Sequence, residues 1–174
     1  MGNGQKNPKV TREDLTGEHR LGDAGQIVLA CVFGAVWVAD TFFLNHTTFL
    51  NAYSPLAVRI VAGAGVLLLS AYLARTSLQI VFDEVREKPE VIRQSVFGVV
   101  RHPIYLSEIL FYFGILVLST SLAAAVVWLV AIGFLHYISR CEERLLLERF
   151  GDEYKRYMHE VPMFIPRLVR KRRV

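Results

Sequence analysis

Apolar and polar residues alternate along this chain on the scale of whole segments. Residues 27–44 form one apolar run, interrupted only by Asp40 and Thr41 near its end, and residues 56–73 form a second that begins just after Pro55 and carries Arg59 one turn in. Each approaches the length of about 20 residues that a helix needs to cross a hydrocarbon core of about 30 Å. Both are predicted to span a membrane, with Arg59 reaching for the interface and Gly63 and Gly65 offering a small-residue face to a neighbouring helix. Residues 104–118 and 122–137 are shorter runs joined by Ser119, Thr120 and Ser121. They predict an antiparallel hairpin, tilted or shallow in the bilayer. Beyond Tyr137, charged residues intermix with Leu146, Phe150, Tyr154 and Tyr157 at spacings of three and four. That period predicts an amphipathic helix at the membrane surface, with Gly151 as a weak point inside it and Pro162 and Pro166 closing it.

The expected fold is therefore all-α: a polytopic helical bundle of about four hydrophobic helices, the last two a short hairpin, plus a C-terminal interfacial helix. Residues 1–24 read as a polar tail and residues 25–174 as one domain. Hydrophobic residues make up 53% of the 174-residue chain, too many for an ordinary soluble domain. A net charge of +4 would by itself allow a nucleic-acid partner, but its distribution removes that reading. Of the 20 Lys and Arg, all but Arg59 lie in the N-terminal tail, in the segment 75–101 or after residue 139, and none lies in the loop 45–55 or the 119–121 turn. By the positive-inside rule both termini and the middle loop face the cytoplasm, with membrane lipids as the partners of the flanking charge. The terminal Arg170, Lys171, Arg172 and Arg173 are expected to contact lipid headgroups. Cys31 and Cys141 show no metal-binding or disulfide spacing, so no metal site is expected.

Candidate chemistry lies where the basic middle loop enters the third run. Pro103 suits a first helical turn, and Arg101, Tyr105, Glu108 and Tyr112 follow one face of the helix it starts. Glu108 is the unusual member, because a carboxylate inside an apolar run must be paired or face a wet cavity. At the other end of the hairpin His136, Arg140 and Glu143 share a face, with Glu142 beside them. An antiparallel hairpin with so short a turn brings both ends into one pocket. The alternative for each group is structural: anchoring charges on the third helix, and a solvated helix segment at Glu142 and Glu143.

The series Arg101-His102-Pro103-Ile104-Tyr105, a hydrophobic hairpin, Glu142-Glu143, Phe150-Gly151-Asp152-Glu153-Tyr154 and Phe164-Ile165-Pro166 resembles the isoprenylcysteine carboxyl methyltransferase and phospholipid methyltransferase superfamily of integral membrane enzymes. The likeness covers roughly residues 91–166. It implies an S-adenosylmethionine-dependent methyltransferase with a cofactor pocket facing the cytoplasm and a lipid or prenylated acceptor, an isoprenylcysteine carboxylate in the first place and an ethanolamine phospholipid or a thiol as the alternatives. By position, His102, Tyr105, Glu142 and Glu143 are expected to hold the cofactor, with Arg101 close to the acceptor; His136, at the same end of the hairpin, joins the cofactor candidates, and Glu108 and Glu143 join Arg101 as catalytic candidates. An isoprenylcysteine carboxylate would need a cation such as Arg101 to place it; an ethanolamine headgroup or a thiol would need a base such as Glu108, His102 or His136. Two positions depart from the family pattern: Ser107 stands where a glycine is frequent, and Ser95-Val96-Phe97 stands in place of Gly-x-Tyr. The reading from a different class is a non-catalytic membrane scaffold on the same fold.

Overall fold

A computed structural model describes residues 20–82 and 90–166, all of whose regular elements are helical. The terminal basic run 170–173 and most of the N-terminal tail lie outside the described residues. Helix α1 (Arg20–Val38) begins ahead of the apolar run and passes into a π-helical turn at Ala39–Leu44. Then come α2 (Leu56–Phe82), α3 (Pro103–Ser119), α4 (Leu122–Phe150) and α5 (Asp152–Glu160). By length and composition Ala24–Leu44, Leu56–Phe82 and Leu122–Phe150 can each cross a membrane, whereas Pro103–Ser119 is a shorter apolar helix.

The expected all-α membrane bundle is found, with one change of boundary. The surface helix read as starting after Tyr137 and running through Gly151 is two helices. α4 continues unbroken for 29 residues, roughly 44 Å at about 1.5 Å per residue, so its charged last turns project beyond the apolar stretch. Gly151 then adopts φ +54° and ψ −127°, a conformation that L side chains rarely adopt, and α5 starts anew. The onset of charge at Arg140 marks a change of solvent, not the end of a helix.

Small residues set the register of the bundle. α2 and α3 run antiparallel along Gly63, Ser70, Ser107 and Gly114, all buried. A Cβ on Gly63 would lie 2.7 Å from the Leu118 side chain and 3.2 Å from the Gly114 carbonyl, and one on Gly114 would lie 2.7 Å from the Leu67 side chain, so the two leucines pack into the space that the missing side chains leave. Ser70 donates to the carbonyl of Ser107 at 2.7 Å, and Ser107 donates back to its own helix at Ile104. Of the two glycines marked out on α2, only Gly63 meets a neighbour; Gly65 faces open space. α1 lies antiparallel on α4, where the Phe134 ring covers Gly25 and Ile138 approaches Gly22. Phe33 and Leu29 of α1 join Tyr112 and Leu116 of α3 and Ala124 and Ala131 of α4 in the main apolar cluster.

The bundle end formed by the α3–α4 turn is clasped by a buried carboxylate. Asp40 accepts from the Thr47 amide at 3.1 Å, the Thr47 hydroxyl and Ser121. Thr47 in turn accepts from the Ala123 amide, and Ser121 caps α4 at the Ala124 amide. Arg59 donates to the carbonyl of Leu118 in the last turn of α3 at 3.2 Å, where the helix dipole favours a cation. These ties hold the hairpin turn in place, so the far ends of α3 and α4 meet in a defined register.

Candidate active site

The far end of the hairpin is where charge collects. Pro103 occupies the first turn of α3 and His102 is its N-cap residue, which turns the chain so that Arg101 and His102 precede the helix instead of lying on it. Two backbone ties fix this corner: the Arg101 amide donates to Pro162 O at 2.9 Å and the His102 amide to Met163 O at 3.3 Å. Opposite stands the extended part of α4 with Glu142 and Glu143.

Glu143, 2% exposed, is the centre of the cluster. Its Oε1 accepts from Arg101 Nε at 2.7 Å and lies 3.2 Å from His102 Nε2. Among the described residues its Oε2 is buried with no hydrogen-bond partner, and Arg140 Nη1 is 3.9 Å from it. Tyr105 donates its hydroxyl to Glu142 Oε1, and His102 Nδ1 lies 3.7 Å from Glu142 Oε2. The His102 ring stacks on that of Tyr105 with centroids 5.8 Å apart. One imidazole therefore sits between two carboxylates. Burial holds the His102 imidazole below its ordinary pKa, against the opposing pull of Glu143, so the ring is neutral at pH 7. A neutral ring that donates from Nε2 to Glu143 has an acceptor lone pair on Nδ1.

Arg101 does more than pair with Glu143. Its Nη1 donates to the carbonyls of Met158 and Val161, at 2.8 and 2.6 Å, in the last turn of α5 and just past it. A side chain 8% exposed thus spends its donors on one carboxylate and two orphan helix carbonyls. The hairpin and α5 are fastened at this point. The segment before Arg101 adds further ties: Tyr157 donates to Phe97 O at 2.7 Å, and Arg93 lies over the Tyr157 ring while donating to Glu153 O. Tyr154, Tyr157, Val91 and Val161 form a small apolar core there, whose burial raises both tyrosine pKa values.

The expected site residues thus fall into two groups. Arg101, His102, Tyr105, Glu142 and Glu143 converge. His136 is exposed on α4 and connects to the cluster through Phe164, whose ring centroid is 6.2 Å from it and 6.1 Å from that of His102. Glu108 is set apart: it accepts from Tyr112 at 2.7 Å, and Tyr112 packs on Phe33 of α1 with ring centroids 4.4 Å apart. The common face predicted for Arg101, Tyr105, Glu108 and Tyr112 divides, because Arg101 lies outside the helix and turns to α5. Sequence reasoning missed Tyr157, Arg93 and the α5 carbonyls; the one signal for the first was its apolar spacing from Tyr154.

Residues 54–153 match the phospholipid methyltransferase family. The chain belongs to this family. The match takes in α2, α3, α4 and every member of the charged cluster, and it begins well before the motif-bearing stretch. No curated protein matches the chain. Family membership makes the chain an integral membrane methyltransferase of lipids. The departure at Ser107 has a local explanation in this family member: that residue faces α2, where its carbonyl serves Ser70, and not the Glu143 cluster.

Proposed function

We propose that this phospholipid methyltransferase family member uses S-adenosylmethionine to methylate a lipid headgroup at the cytoplasmic interface, with both chain termini on that side. The observation that carries the reading is Glu143 Oε2, a buried carboxylate oxygen without a donor, next to a neutral imidazole and a second carboxylate. Such an oxygen suits a ligand rich in N–H or O–H donors, as the amino group and ribose hydroxyls of that cofactor are. When bound, the cofactor supplies an electrophilic methyl group on a sulfonium. His102, Tyr105, Glu142 and Glu143 would hold it, and their work is to fix its position and keep water out, since an in-line displacement gains most from alignment. Arg101 orients Glu143 and closes α5 over the site.

Arg101 also bears on the acceptor. It is the cation that an isoprenylcysteine carboxylate would need, and its donors go to Glu143, Met158 and Val161. An amine acceptor is better served, because Glu108 offers a half-buried carboxylate within the apolar layer that can accept the proton an ammonium must lose. We therefore favour an aminophospholipid over a prenylcysteine carboxylate or a thiol. The test incubates the protein in vesicles with methyl-labelled S-adenosylmethionine and either phosphatidylethanolamine or a farnesylated cysteine. Label is expected in the amine lipid and is expected to vanish with Glu143→Ala. Label in the farnesyl compound alone would reverse the acceptor assignment, and no label in either with no saturable cofactor binding would leave the scaffold reading in place.

A further inference from the structure

Away from the charged corner, the Tyr112 hydroxyl donates to Glu108 Oε1 at 2.7 Å, one turn back on α3. The bond ties the carboxylate to its own helix. Tyr112 is 3% exposed, and Phe33 of α1, itself 2% exposed, lies on its ring with centroids 4.4 Å apart and planes 31° apart. Leu29 of α1 and Leu116 of α3 belong to the same apolar cluster. Glu108, by contrast, is only half-buried on an apolar helix. A glutamate side chain left to itself turns among several staggered rotamers; the chain of contacts from Phe33 through Tyr112 holds this one in place.

α1 reaches both halves of the site. A Cβ on Gly25 would lie 2.2 Å from the Phe134 ring of α4, and one on Gly22 would lie 3.9 Å from the hydroxyl of Tyr105, which donates to Glu142. Three turns on from Gly22, Phe33 bears on Tyr112. The family match begins at residue 54, so this helix lies outside it. We infer that Tyr112, braced by Phe33 of α1, is a positioning residue for the amine acceptor: by occupying Glu108 Oε1 it presents Oε2 to the ammonium. The inference rests on the aminophospholipid reading above. In the step it serves, an ammonium N–H bond breaks and the proton passes to Glu108 Oε2. The freed nitrogen lone pair forms the bond to the methyl carbon, the carbon–sulfur bond breaks, and its electron pair stays on sulfur. The proton leaves to water once the methylated ammonium has gone. Tyr112 touches neither substrate; its effect is on where the accepting oxygen points.

The test measures methyl transfer to phosphatidylethanolamine by the full chain in vesicles, with S-adenosylhomocysteine affinity measured by calorimetry on the same preparations. Tyr112→Phe keeps the ring on Phe33 and removes only the hydroxyl. It is expected to lower kcat by about tenfold, as loss of one bond to a charged group does, with KM for the lipid and S-adenosylhomocysteine affinity unchanged. Phe33→Leu, which loosens the brace and leaves the hydroxyl, should lower kcat by less. Glu108→Gln should lower kcat by about a hundredfold or more, and adding Tyr112→Phe to it should cost nothing further, because the two act as one unit. An unchanged kcat in Tyr112→Phe, a loss that persists in full on the Glu108→Gln background, or a parallel loss of S-adenosylhomocysteine affinity overturns the positioning role and leaves the amine acceptor standing. If the unaltered protein transfers no methyl group to phosphatidylethanolamine, or Glu108→Gln does so at full rate, the acceptor reading fails and the role of Tyr112 falls with it.

Discussion

Arg101→Ala is the substitution whose consequences the structure defines most closely. It removes the 2.7 Å bond to Glu143 Oε1 and the two bonds to the carbonyls of Met158 and Val161. Glu143 is left with His102 as its one close donor, and two carbonyls at the end of α5 lose their charged partner. Breaking a buried ion pair from one side costs about 3–5 kcal/mol, and a hydrogen bond to a charged group contributes about 1.5–3 kcal/mol. These terms overlap, because a loosened α5 lets water reach Glu143, so the expected loss is about 3–5 kcal/mol in total. It should be local. Hydrogen exchange would show it as faster exchange across α5 and the adjoining residues 161–164, with α2 and the α3 segment around Gly114 unchanged. Glu143→Gln, which keeps the shape and removes the charge, should loosen α5 less, because the carbonyl bonds of Arg101 survive. If Arg101→Ala left α5 as well protected as before, or exposed α2 and α3 to the same degree, Arg101 would not be the fastening point described.

Two further predictions concern packing and pH. Gly63→Ala places a Cβ 2.7 Å from Leu118 and 3.2 Å from the Gly114 carbonyl, so it should part α2 from α3 and cost about 1–3 kcal/mol, whereas Gly65→Ala, which meets nothing, should be neutral or slightly stabilising in detergent-denaturation titrations. The depressed pKa of His102 means that the unfolded chain takes up its proton first as the medium is acidified. Stability at this end of the bundle should therefore be full above the ordinary histidine value of about 6.5 and fall as pH drops below it; a His102→Gln variant should show a flatter dependence below that value, and an unchanged slope would contradict the buried neutral ring.

Much of this protein could be read without coordinates because lipid leaves a chain few choices. A segment that crosses a bilayer must satisfy its own backbone, so the runs at 27–44 and 56–73 had to be helices, and the short Ser119–Ser121 connection had to return the chain antiparallel. That return alone was enough to expect His102 and Tyr105 opposite Glu142 and Glu143. The partners of each side chain were a different matter. Local periodicity placed Arg101 on a stripe with Glu108, but Pro103 and the His102 corner turn it toward α5, a contact across 57 residues to Met158 that no helical repeat reports. Charge at Arg140 and Glu142 resembled the start of a new surface helix, because leaving the membrane and ending a helix look alike in composition. The unequal oxygens of Glu143 likewise depend on register, which is set by Gly63 against Gly114 and by the Asp40 clasp at the opposite end. Sequence determined the helices and which ends meet; close packing between them decided which atoms touch, since that depends on the combined shape of several segments at once.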